Sequence, residues 1–134
     1  MTLSARRPTT LFEVARRSRS GEQNFDDAVR EFLDNFYAAP ARRSAALKVR
    51  PKPVGAVQDA YLAAVAEHLA RCFALPVPKW SETHGNTLTR PFFAGGLEAL
   101  KAILTAESPA AFRRRLLFVS RDALSRPRLG GEAA

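Results

Sequence analysis

Cysteine, histidine, tryptophan and tyrosine are scarce in this 134-residue chain, and acidic residues are outnumbered by basic ones. The single cysteine, Cys72, excludes an internal disulfide and fits a reducing compartment. His68 and Cys72 stand four apart, as two metal ligands on one helix face would, and His84 is the one further histidine. So small a ligand supply favours a histidine flanking the core, and no metal or other cofactor is expected. No apolar run approaches the roughly 20 residues that span a bilayer, and Met1 to Arg19 has arginines without a continuous apolar stretch. Neither a membrane span nor a secretory signal is expected, and the default location is the cytoplasm. Ser81, Glu82 and His84 crowd one loop without the glycine pattern that exposes a nucleophile, so no catalytic residue is assigned and the chain is not expected to be an enzyme. Gly95-Gly96 lacks the further glycine and the lysine-hydroxyl pair of a phosphate loop, and reads as the opening of a helix.

What the chain does have is apolar residues at 46% with 25% charged, enough to fold, and a length that suits one core. Its net charge of +8 is unevenly placed. Arg6, Arg7, Arg16, Arg17 and Arg19 face only Glu13 in the first segment. Arg42, Arg43, Lys48, Arg50 and Lys52 have no acid among them, and Arg113, Arg114, Arg115, Arg121, Arg126 and Arg128 oppose only Asp122. Between the first two segments, Glu22, Asp26, Asp27, Glu31 and Asp34 outnumber Arg30, giving a basic molecule with one acidic helix.

Thr10-Leu11-Phe12-Glu13 has capping-box spacing and predicts a helix from Leu11 to about Ser18, ended at Gly21. A second helix is predicted from about Asn24, with Asp26 and Asp27 in its first turn and Phe25, Val29, Phe32, Leu33 and Phe36 on its apolar face, stopped by Pro40. Residues 41–53 read as a cationic surface linker holding one helical turn near Arg43 to Leu47. The third and central helix, about Ala56 to Phe73, should place Val57, Tyr61, Val65, Leu69 and Cys72 on one stripe. Leu75-Pro76-Val77-Pro78-Lys79-Trp80 cannot be helical, and the loop it opens should run to Pro91, anchored by Trp80, Phe92 and Phe93. These aromatics are read as structural in preference to stacking platforms for bases. A fourth helix after Gly95-Gly96 would carry Leu97, Leu100, Ile103 and Leu104.

The densest feature lies in residues 108–120. Ser108 should cap a fifth helix opening at Pro109, with Phe112 and Leu116 on its inner face. Three successive arginines cannot all face inward, since helical neighbours point about 100° apart. Arg115, three residues beyond Phe112, should turn in as a structural residue and pair with a carboxylate or carbonyls, while Arg113 and Arg114 project outward. Residues 116–120 read equally as strand or buried helix. The expectation is one all-α domain over residues 8–128 with four to six helices and flexible termini at 1–7 and 129–134. Its core would hold Phe25, Val29, Phe32, Leu33, Phe36, Tyr61, Val65, Leu69, Leu100, Leu104, Phe112 and Leu116.

The runs Asp59-Ala60-Tyr61-Leu62 through Glu67-His68-Leu69-Ala70, Leu75 to Trp80, Arg90-Pro91-Phe92-Phe93, and Glu107-Ser108-Pro109 through Arg115 to Arg126 resemble a family of small uncharacterised bacterial proteins. The resemblance spans roughly residues 25 to 128 and implies a toxin–antitoxin-like gene pair in which the neighbour has a nucleotidyltransferase fold. It departs at Phe92, where the family has tryptophan, and it supplies no catalytic residues. Taken with this resemblance, the basic segments are read as those of an antitoxin-like interaction protein whose arginine-rich helix ends dock onto an acidic partner such as a nucleotidyltransferase-like toxin. Arg113, Arg114, Arg42, Arg43, Lys48 and Arg50 are the contact residues, because a guanidinium pairs with a carboxylate in two parallel bonds. The alternative is a basic nucleic-acid-binding or transcription-regulatory module. In either case nucleic-acid binding should be weak, sequence-independent and abolished by salt.

Overall fold

The computed structural model describes residues 7–83, 86–93, 108–120 and 124. Helix α1 spans Leu11–Ser20, two residues longer than the sequence suggested. The Thr10 Oγ1 accepts from the Glu13 N–H at 3.0 Å, but the Glu13 carboxylate reaches back to the N–H of Thr9, not that of Thr10. Gly21 ends the helix at φ 77°, a left-handed conformation that costs glycine nothing. Helix α2, Phe25–Ala38, is capped by Asn24, whose side chain accepts from the Asp27 N–H. Its face Val29, Phe32, Leu33 and Phe36 is buried, and each such side chain stabilises the fold by about 1.5–3 kcal/mol through burial.

Pro40 ends α2 and begins a 3₁₀ turn, Pro40–Arg42, which leads into the short helix α3, Arg43–Lys48. Helix α4, Ala56–Cys72, is the central element: Ala60, Leu62 to Glu67, Leu69 and Ala70 are all buried. Burial nearly all round replaces the single stripe expected for it. Cys72 is exposed because it lies one turn beyond half-buried His68, on the helix's outer side. Two edge-on ring pairs, Phe25 with Tyr61 and Phe36 with Phe73, join α2 to α4 and its end.

The proline-rich segment after α4 forms one 3₁₀ turn, Lys79–Glu82. Trp80 fixes it, its Nε1–H donating to the Leu47 carbonyl at 3.0 Å. Strand β1, Phe92–Phe93, then pairs in parallel with β2, Leu117–Phe118, in the register Phe92 with Leu117 and Phe93 with Phe118. The stretch 116–120, open between strand and helix in the sequence, therefore holds a two-residue strand. The Phe93 ring stacks on Phe118 at 4.8 Å, whereas Phe92 is 42% exposed and contributes its backbone but not a buried anchor.

The Ser108 region departs most from expectation. Helix α5 is a single turn, Ala110–Arg113, begun by Pro109 without a side-chain cap. The Ser108 hydroxyl instead accepts from the Val119 N–H at 2.7 Å and donates to the Val119 carbonyl at 2.9 Å, so it locks the strand end. Leu116 has φ 64°, which turns the chain out of the helix and leaves its side chain half-buried; Leu117 takes the core position expected of it. The remaining proposed core members divide in two: Phe25 and Tyr61 are partly buried, and Leu100 and Leu104 lie outside the described residues. The chain is mostly helical, an all-α domain carrying one minimal sheet. The helix expected after Gly95-Gly96 and both expected flexible termini fall largely outside the described residues.

Leu69 is wholly buried on α4. Leu69→Ala should cost about 2–5 kcal/mol in urea melts, the range for emptying a leucine site in a packed core.

Candidate functional site

The site grows from Glu67, whose carboxylate is buried on α4, accepts hydrogen bonds from Arg115 and Arg71 and forms an ion pair with Arg114. Arg115 is the inward one. Its Nη1 lies 2.6 Å from Glu67 Oε1 and 2.7 Å from the Ala111 carbonyl, and its Nη2 donates to the Ser81 carbonyl at 2.7 Å. One guanidinium thus joins α4, α5 and the 79–82 turn, and both partners are almost fully buried. Glu67 Oε2 takes Arg71 Nε at 2.8 Å and Arg114 Nη1 at 3.4 Å, two side chains that are half exposed or more.

Burial by itself would raise the Glu67 pKa. Hydrogen bonds from Arg115 and Arg71, with the charges of Arg115 and Arg114, outweigh it and hold the carboxyl below the usual glutamate value. Its stabilisation is therefore present above the unfolded-state value of 4.5 and is lost as pH falls through the depressed folded value.

Arg113 is exposed and has no ion pair among the described residues. The backbone brings Phe92 to the same region: its N–H donates to the Leu116 carbonyl, and the Leu88 N–H donates to that of Arg115. Arg71 and Arg114 therefore flank one buried ion pair at its exposed side, with Arg113 exposed next to Arg114 in sequence. Arg71 and Glu67 were missed in the sequence, although an acid four residues before a base on one helix is a readable pair.

The second basic segment behaves differently. Arg42, Lys48 and Arg50 are exposed, whereas Arg43, expected among the contact residues, is half-buried and turned toward the end of α2. Its guanidinium donates to the Phe36 and Tyr37 carbonyls at 3.1 and 3.0 Å and lies 4.2 Å from the Phe73 ring centroid. The reason is the end of α2: its last carbonyls need donors, and a cation there also meets the negative end of the helix dipole. In the first segment Arg17 is likewise buried, held by Glu13 and Gln23. Arg16, Arg19 and Lys52 line one pocket, so the first two basic segments meet. Arg50 lines another, with Asp59 and Trp80.

His68 is half-buried beside Phe112, and its pKa is lowered chiefly by burial, with Glu67 opposing. Its Nε2 is 3.5 Å from Cys72 Sγ, yet no cluster of three ligating residues exists among the described residues, and His84 lies outside them. Ser81 is buried, its hydroxyl donating to the Pro78 carbonyl, while Glu82 is exposed. No family model matches this chain, and no curated protein or solved structure matches it.

Arg115→Ala should destabilise the fold by about 3–5 kcal/mol at neutral pH, because it strands a buried carboxylate. Arg113→Ala should leave thermal melts nearly unchanged. The gap between wild type and Arg115→Ala should narrow as pH falls through the Glu67 titration, since the protonated acid no longer needs the pair; denaturant melts at neutral and acid pH measure it.

Proposed function

We propose that this protein is a non-catalytic, antitoxin-like interaction protein that docks onto an acidic protein partner through Arg113 and Arg114. The observation that carries the reading is the division of three consecutive arginines. Arg115 is buried on Glu67 and fixes the turn, while Arg113 is exposed and Arg114 is about half exposed at the edge of the Glu67 cluster. A guanidinium on a rigid turn loses less freedom on binding than one on a mobile chain, and its fork pairs with a carboxylate through two parallel bonds. Arg71 widens the cationic surface, and Phe92 adds an exposed aromatic group. Arginine and aromatic side chains are the types that most often dominate binding energy at protein interfaces.

The family resemblance supplies the partner's class: a nucleotidyltransferase-fold toxin, whose metal-binding carboxylates present the acidic target. Arg42, Lys48 and Arg50 are exposed and available as outlying contacts, where charge speeds association more than it tightens the complex.

The test is co-purification with the product of the neighbouring gene. Wild type should capture it at moderate salt. The double variant Arg113→Ala with Arg114→Ala should still fold, with a somewhat lower melting temperature from the lost Arg114–Glu67 ion pair, and lose tenfold or more in affinity by calorimetric titration of the folded protein. Unchanged affinity would assign these two arginines to an ordinary solvated helix end.

A further inference from the structure

The pocket where the first two basic segments meet is lined, among the described residues, by Phe12, Arg16, Arg19 and Lys52, and has a volume of about 110 Å³. Three of the four residues come from α1, at steps of four and three, so they share the face turned away from buried Leu11, Val14 and Ala15. Lys52 comes from the 41–53 segment, held between Pro51 and Pro53. That segment is fastened just beyond, where the Val54 and Gly55 N–H groups donate to Asp59 Oδ1 at 2.8 and 3.4 Å. Both sides of the pocket are therefore built on fixed backbone.

The charge in it is not balanced. Glu13 and Glu22 pair with Arg16 and with buried Arg17, while Arg19 and Lys52 have no carboxylate within ion-pair distance among the described residues. An anion is the complementary ligand. Arg50, two residues before Lys52, lines the separate pocket with Asp59 and Trp80, so the cationic site consists of the α1 residues and Lys52. Two cations without a carboxylate beside an aromatic ring suit a phosphate joined to a base better than one small bare anion. The half-buried Phe12 ring beside the cations offers a face that a base can use only when it is unstacked.

We propose that this pocket binds the backbone of single-stranded nucleic acid, with Arg19 and Lys52 pairing one phosphate and Phe12 receiving the neighbouring base. The site is separate from Arg113 and Arg114 and does not depend on the docking function. Recognition is through phosphate and stacking alone, so it is independent of sequence.

Binding of a labelled oligothymidylate of about 12 nucleotides, followed by fluorescence anisotropy across a salt series, tests it. The double variant Arg19→Glu with Lys52→Glu should lose at least tenfold in affinity. The dependence of log K on log salt should flatten by roughly 0.7 for each phosphate contact removed. Phe12→Ala should weaken binding by about fivefold or more with the salt slope unchanged, because stacking releases no counterions. A matched double variant at exposed positions elsewhere, Lys79→Glu with Arg90→Glu, should bind within twofold of wild type. Equal losses in the two double variants would show a diffuse attraction to the whole basic molecule and overturn the site. So would wild-type affinity in the Arg19/Lys52 double variant, an unchanged Phe12→Ala, or competition by thymidine monophosphate as effective as by the oligomer.

Discussion

The fold depends on one buried ion pair. Glu67 and Arg115 lie 48 residues apart in sequence and are both nearly inaccessible to solvent, yet every polar group they bring inside is answered. The cost of removing two charges from water is several kcal/mol for each, and attraction in a low-dielectric interior offsets it only when the remaining hydrogen bonds are satisfied. Here Ala111 and Ser81 supply carbonyls to the guanidinium, and Arg71 and Arg114 fill the second carboxylate oxygen. A well-packed apolar pair could hold the same elements together as firmly. What the ion pair adds is geometry: the guanidinium is satisfied only when α4, α5 and the 79–82 turn are all in place.

That constraint explains why a one-turn helix persists. Four residues of helix have almost no stability of their own, because nucleation costs more than one or two hydrogen bonds return. Helix α5 is held instead by Phe112 in the core, Arg115 on Glu67 and the reciprocal bonds between Ser108 and Val119. The turn carrying Arg113 and Arg114 is therefore tied directly to the central helix beneath it.

Long amphipathic segments were legible in the sequence. The stripe from Val29 to Phe36, the cap at Thr10, the helix start near Asn24 and the stop at Gly21 all follow from local rules that the tertiary structure does not override. The inward turn of Arg115 was legible too, since it needs only the angular step of a helix and an apolar neighbour. Its partner was not, because nothing local distinguishes Glu67 from a solvated acid. The bonds of Arg43 were not legible for a related reason: a basic run with no acids looks like a surface, and the donor it supplies to α2 is visible only once the chain has turned back at Pro40. Ser108 followed a strong local rule for capping but was claimed by a strand eleven residues later. Such competition between a local and a distant partner is decided by packing.

Leu116 marks where the chain changes its repeat. Before it, inward positions follow the helix, as Phe112 and Arg115 show; after it, they alternate, as Leu117 and Val119 show. The left-handed residue joins the two phases, letting Arg115 and Leu117 both point inward. Adding or deleting one residue between Phe112 and Val119 would carry a different arginine to Glu67 or send Leu117 to the surface. Natural length variation should therefore be forbidden across this joint.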